Sequence, residues 1–345
     1  MFSIFNRSSP PKISKASSEN HSLSQRVEIA KFVMQNSVND FFGGWESDDI
    51  ELLASFRPKA LPAPKNGEII DWLGIKTNSK YHAWLNVSEN NFFVNQELPV
   101  PDDMVHAETI EYVALITAIN KAINFNRKTF TAVELGASYA PWVIAAGVLA
   151  QRSGFKRINL IAVEASESMA PEIIKHAEMN NLLNNDSINL KSIQGAIAGQ
   201  DGIVFFPKVN VAGDNGAQIA LADRGRDYRG LDLEHQEVQA FSLETLLKDS
   251  SRIDFLHMDV QGAELELLNN VNFLSTLDQK VALFFLATQS RLIEGVALER
   301  LGSLGWSLIR ERPTIFKQND RTKDVNGWTL RDGGQIWINN KLFLD

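Results

Sequence analysis

Between residues 106 and 126 apolar side chains recur at helical spacing. Ile110, Val113, Ala114, Ile116, Ala118, Ile119, Ala122 and Ile123 form a wide apolar stripe, which predicts one long helix. Beyond it the period changes. Short β-type runs at 132–135, 158–163, 188–193, 255–260 and 281–287 are separated mostly by helical stretches, at 140–152, 170–183, 242–248 and 262–270. Strands and helices alternating at this length imply an α/β chain, with a mostly parallel sheet covered on both faces. Two late runs, 306–311 and 335–339, can add further strands.

The pattern upstream is different. Residues 1–21 are rich in Ser, Pro, Asn and Lys and read as a flexible tail. The segment 22–105 reads as a smaller, largely helical accessory unit and the candidate for substrate selection. Its apolar positions are helical in spacing at Val27, Ile29, Ala30, Phe32 and Val33, and again at Ile50, Leu52, Leu53 and Phe56. A proline-containing linker at 57–67 leads into strand-and-turn material over 69–101. The main domain is then 106–345, interrupted around 200–237 by a hairpin-like insertion rich in glycine and charge.

Composition narrows the function classes. The chain has 345 residues, 44% of them hydrophobic and 22% charged, enough for a full globular core. Its net charge of −8 argues against a nucleic-acid partner, which a basic face would recognise. With no cysteine there are no disulfides, thiolate metal sites or cysteine nucleophiles. No apolar run has the length of a membrane span and the N-terminus lacks the apolar core of a signal peptide, so a cytoplasmic location is expected.

The chemistry concentrates at strand ends. The first run ends on Glu134, turns through Gly136, Ala137 and Ser138, and enters a helix near Pro141. Small residues there let backbone amides approach a ligand at the carboxyl edge of the sheet. The second glycine of a dinucleotide fingerprint is missing, because Ser138 stands in its place. An acid opening such a turn suits a ligand with an amine or hydroxyls, and S-adenosylmethionine meets that description. Glu164 closes the second run, where an acid can accept from both hydroxyls of a ribose. Its competing role, complementing the next helix dipole, fits Glu167 better. Gly195 and Ala196 follow the third run and leave room for a flat adenine ring. The fourth run carries His257 and ends at Asp259, followed by Gln261, Gly262 and Glu264. Asp259, Gln261 and Glu264 can converge at the sheet edge, although Glu264 alone is also explained by a helix N-terminus.

Taken together, VELGA at the first turn, VEA at the second and DVQGAE after the fourth strand resemble the FkbM family of S-adenosylmethionine-dependent methyltransferases. The likeness runs over about 106–340. It includes 110–119 before the first strand, Thr288-Gln289-Ser290 after the fifth, and GGQIWIN near the end. It implies a Rossmann-like class I methyltransferase fold and S-adenosylmethionine as cofactor. It implies that Glu134, Gly136, Ala137 and Ser138 line the methionine part, Glu164 and Ala165 the ribose, Gly195 and Ala196 the adenine side, and that Asp259 and Gln261 face the reacting centre. Many relatives carry Thr-His-Ser where this chain has Gln289, and a glutamine cannot take over a histidine's proton or metal chemistry.

The expected reaction is direct in-line O-methylation of a sugar, glycan or natural-product hydroxyl, where positioning supplies much of the acceleration and a base helps. Asp259 is the first candidate base and His257 the next, with Glu264 beside them. Two carboxylates are too few to predict a metal. Trp45, Trp72, Tyr81, Trp84 and Tyr139 can stack on a ring acceptor, although each reads more readily as core. Arg224, Arg226 and Arg229 of the insertion stand among acids and read as a solvated loop. Two other classes compete. One is a non-catalytic or degenerate S-adenosylmethionine-binding module, which the Gln289 departure favours; the other, a nicotinamide-dependent oxidoreductase, is disfavoured by Ser138.

Overall fold

The computed structural model describes residues 43–99, 108–208, 217–219, 233–318 and 322–343 except 324, with 28 and 320 standing alone. The tail expected over 1–21, the helix expected from 23 onward apart from residue 28, and most of the insertion, including Arg224, Arg226 and Arg229, lie outside the described residues.

In chain order the elements are α1 (Ser47–Ser55), β1 (Glu68–Ile70), β2 (Lys76–Asn78), a 3₁₀ stretch (Ser79–Leu85) and β3 (Phe93–Val94). Then come α2 (Thr109–Asn124), β4 (Thr129–Leu135), α3 (Pro141–Arg152), β5 (Arg157–Glu164), α4 (Ala170–Met179) and β6 (Ile188–Gln194). These are followed by β7 (Ala196–Ile197), β8 (Gly202–Pro207), β9 (His235–Phe241), α5 (Leu243–Leu246) and β10 (Phe255–Met258). The chain closes with α6 (Glu264–Leu268), α7 (Val271–Lys280), β11 (Leu283–Thr288), α8 (Arg291–Ser303), β12 (Ser307–Arg312), β13 (Ile315–Phe316), β14 (Thr329–Arg331) and β15 (Gly333–Ile338).

Seven strands form the central sheet in the order β12-β15-β11-β10-β4-β5-β6. β15 alone runs antiparallel, inserted between β12 and β11. This is a mostly parallel α/β sheet, and all seven strand positions anticipated from periodicity are present. β10 shows why the pattern is readable. Phe255 faces the core layer that contains α2 and α3, while Leu256 and Met258 face the opposite layer with α6, α7 and α8. Two helices, α7 and α8, were not legible in the sequence. Their first turns are fixed by side chains, Asn270 accepting from the amides of Asn272 and Phe273, and Ser290 from that of Ile293.

The order reverses at β4, where the chain steps to β5 on one side and to β10 on the other. That switch places the ends of β4, β5 and β10 around one crevice. The insertion springs from an antiparallel stem of β8 and β9, with Val204 opposite Val238.

The described N-terminal segment is mixed rather than largely helical: α1 is followed by a three-stranded sheet in the order β2-β1-β3. It shares its core with the main sheet. Ile50, Leu53, Trp72, Leu73 and Ile75 are buried in the layer that holds Ile110–Ile119 and Phe130. Polar links reinforce the seam: Arg310 Nε donates to Asp49 Oδ2 at 2.6 Å, Arg152 Nη2 to the Leu73 carbonyl at 2.9 Å, and the Lys76 amide to Asn180 at 2.9 Å.

Candidate functional site

The crevice is held open by a strained turn. Gly136 has φ +76°, and a Cβ there would fall 1.9 Å from the Asp259 carbonyl oxygen. Only glycine lets the loops after β4 and β10 meet this closely. The Asp259 amide in turn donates to the Leu135 carbonyl at 3.0 Å. Ser138 (φ 50°), Ala140 (φ 59°) and Gln261 (φ 57°) are left-handed without being glycine. Such conformations cost free energy and concentrate where a binding surface needs them.

Two carboxylates brace the turn. Glu134 is buried, and its oxygens accept from the amides of Val143 at 2.7 Å and Trp142 at 3.4 Å, the first donors of α3. This explains how α3 starts although its N-cap, Ala140, has no capping side chain. Glu164 accepts from Ser138 N at 2.6 Å through one oxygen and from Ser166 N at 2.7 Å through the other. The Ala165 amide also bonds to this carboxylate, whose roughly four lone-pair sites leave acceptor capacity beyond these three donors. Burial raises both carboxyls above their ordinary range, against the pull of these amides.

Further along the edge, the Gly195 amide donates to the Glu164 carbonyl at 2.8 Å. A Cβ on Gly195 would sit 2.6 Å from the Phe241 ring, so its bareness serves the packing of β9. Ala165 and Ala196 are buried in a small cluster with Ala198, Val204 and Phe206. Ala137 is also buried.

Asp259 is partly buried just past β10. Its Oδ1 accepts from Gln261 Nε2 at 2.8 Å and from Gln289 Nε2 at 2.9 Å. Burial, with the Asp332 and Glu111 charges, pushes its carboxyl up to about 7. Glu264 is fully buried and its oxygens accept from Val260 N at 2.7 Å and Gly262 N at 2.6 Å, closing the loop that carries Asp259. Burial and the Asp259 charge push it up to about 8.

His257 lies deeper. It is stacked between Phe285 (4.9 Å) and Trp142 (5.6 Å), and its Nε2 is 3.0 Å from Glu111 Oε1. Burial pushes the imidazole down to about 3, so it is neutral near pH 7. Its Nδ1 is buried without a hydrogen bond. These rings extend an aromatic ladder that starts in the N-terminal layer: Trp72 to Tyr112 at 5.5 Å, then Tyr112 to Trp142 at 5.1 Å.

Of the aromatics named from the sequence, Trp45, Trp72, Tyr81 and Tyr139 are buried, and Trp84 is 52% exposed. Tyr81 stacks flat on Tyr139 at 4.4 Å, so the 3₁₀ stretch leans on the turn after β4. Three neighbours of the site went unread from the sequence: Glu111, Gln289 in its contact with Asp259, and Asp332. For Glu111 a signal existed, because it is an acid within an otherwise apolar stripe.

Residues 136–285, from the strained turn into β11, match the family model described as the methyltransferase FkbM domain. A curated protein of Jannaschia sp. (strain CCS1), named "Putative methyltransferase", is 28% identical over 223 residues, 63% of this chain and 75% of its own length. Among solved structures, the METTL16 MTase domain aligns with a TM-score of 0.36 and 12% identity, covering 65% of this chain and 66% of that one. The human methyltransferase 10 domain containing protein aligns with a TM-score of 0.32 and 13% identity, covering 66% of this chain and 82% of that one.

Proposed function

We propose that this chain, a methyltransferase that carries an FkbM domain over residues 136–285 and takes S-adenosylmethionine as its cofactor, methylates a hydroxyl on a sugar, glycan or natural-product acceptor. S-adenosylmethionine, when bound, supplies an electrophilic methyl group. The residues present suit that group. Glu164 has acceptor capacity left for ribose hydroxyls beyond its bonds to Ser138, Ala165 and Ser166. The strained turn keeps backbone between Gly136 and Ser138 free of bulky side chains. Glu134 orders this turn from behind by gathering the first amides of α3. Gly195, Ala196 and Ala165 keep the adenine side narrow and apolar.

Asp259 is the base. A carboxylate with a pKa near 7 is ionised in part at neutral pH, and basic enough to accept a hydroxyl proton as the oxygen attacks. The observation that carries this reading is the junction of the Gly136 turn with the Asp259 backbone, which sets the residue with the raised carboxyl beside that turn. Glu264 holds that loop through two amides and acts as its brace. His257, neutral and enclosed by Trp142, Phe285 and Glu111, supports β10 from the core side. The net charge of −8 favours a small acceptor over a polyphosphate chain, and exposed Trp84 offers a face on which a sugar ring can stack.

The test is calorimetric titration of S-adenosylmethionine and its demethylated product into wild type and Glu164→Ala, followed by transfer of a labelled methyl group to a panel of sugars. Micromolar binding, weakened at least tenfold in the variant, and label on an acceptor oxygen are expected. A folded wild type that binds neither ligand overturns the reading.

A further inference from the structure

We propose that Gln289 is a positioning residue for Asp259: its carboxamide, together with that of Gln261, holds Oδ1 so that Oδ2 is the oxygen presented to the acceptor. This rests on the reading of Asp259 as the base, and assigns a role to a side chain that no part of that reading uses.

The geometry is asymmetric. Both carboxamide nitrogens converge on Oδ1, at 2.8 Å and 2.9 Å. Both side-chain bonds fall on Oδ1 and no hydrogen bond to Oδ2 is found among the described residues, while Asp259 as a residue is only partly buried. Gln289 is itself 2% exposed and fixed at both ends of its backbone. Its carbonyl accepts from Thr329 Oγ1. Preceding Thr288 is tied through its hydroxyl to Glu294 at 3.3 Å, and following Ser290 caps α8.

The side chain bears a cost for this arrangement. Gln289 Oε1 is buried with no hydrogen-bond partner among the described residues, a state that proteins rarely leave unexplained. Turning the amide over would set Oε1 against Oδ1, oxygen to oxygen, while Asp259 is ionised. The ionised carboxylate therefore fixes the amide, and the amide fixes the carboxylate. Once Asp259 has taken a proton the constraint inverts, because a carboxylic acid can donate to Oε1. One side chain can thus serve both protonation states.

Other charged groups also face Asp259. They are Asp332 in the turn before β15, Glu111 from α2, His257 on β10 and Glu264 from α6. The first two disfavour ionisation, and two carboxamide donors on Oδ1 oppose them.

The experiment is a carbon-13 NMR titration of the full chain labelled at aspartate side-chain carboxyls, with the Asp259 signal assigned by Asp259→Asn. Gln289→Glu, nearly isosteric, is expected to raise the Asp259 midpoint by about one unit or more, since two carboxylates then share the site. Gln289→Leu, which only removes the donor, should raise it by less. Near-UV circular dichroism reports folding, and Gln289→Glu keeps the titration informative where the leucine variant does not fold. Midpoints equal to wild type in the folded variants would overturn the proposal and leave Gln289 as packing. The titration needs neither cofactor nor acceptor. A wild type that fails to bind S-adenosylmethionine would therefore sink the methyltransferase reading without touching the clamp.

Discussion

At the scale of single residues, Asp259 and His257 sit two positions apart and have opposite electrostatic fates. Asp259 is raised to about 7, so between its ordinary unfolded value near 4 and pH 7 the native state holds a proton that the unfolded chain releases. Its contribution to stability therefore falls as pH rises through that window. Asp259→Asn removes the ionisation: at pH 8 the variant should melt higher than wild type, by about 1 kcal/mol or more, while methyl transfer falls at least a hundredfold. Differential scanning calorimetry and a labelled-methyl assay read the two effects. The role proposed for Asp259 predicts a rate that climbs with pH and levels off above about 7. His257, lowered to about 3, adds no limb between pH 5 and 9. His257→Gln should keep the shape of the pH–rate profile and lose stability, because the ring stacked between Trp142 and Phe285 is lost. A profile whose limb vanishes in His257→Gln but survives in Asp259→Asn would transfer the base to the histidine.

At the scale of elements, the turn between β4 and α3 is the most constrained part of the candidate site. Gly136→Ala should destabilise by about 3 kcal/mol and weaken cofactor binding, since a methyl group there meets the Asp259 carbonyl and φ +76° is unfavourable for alanine. Chemical denaturation and calorimetry would show both losses together. This turn was legible in the sequence because glycine, small residues and an acid marked it. The seven strands were legible because their apolar runs have period two or are continuously buried. α7 and α8 were not, because Val271, Leu292 and Leu298 are exposed and blur the apolar stripe, and their starts depend on single Asn and Ser caps. Within the site, strand-end residues could be named from the sequence but their partners could not. That Glu134 reaches Val143, that Glu264 reaches Val260, and that Gln289 reaches Asp259 across 30 positions depends on how loops fold back, which periodicity does not encode.

At the scale of the whole molecule, the N-terminal layer and the sheet share one core. A chain beginning at residue 106 would lose Ile50, Leu53, Trp72 and Leu73 from beside α2 and leave Arg310 without Asp49. It should fail to give a cooperative thermal transition by calorimetry, whereas the full chain gives one. The aromatic ladder runs through this shared core, from Trp72 by way of Tyr112 and Trp142 to His257 and Phe285. Trp142 is both a rung of the ladder and a member of the first turn of α3, whose amides Glu134 gathers behind the Gly136 turn. The protein therefore has a built-in optical probe. Excitation absorbed at Trp72 can migrate along closely spaced rings to an indole beside the site, and the emission difference between wild type and Trp142→Phe would follow occupancy of the turn without any label.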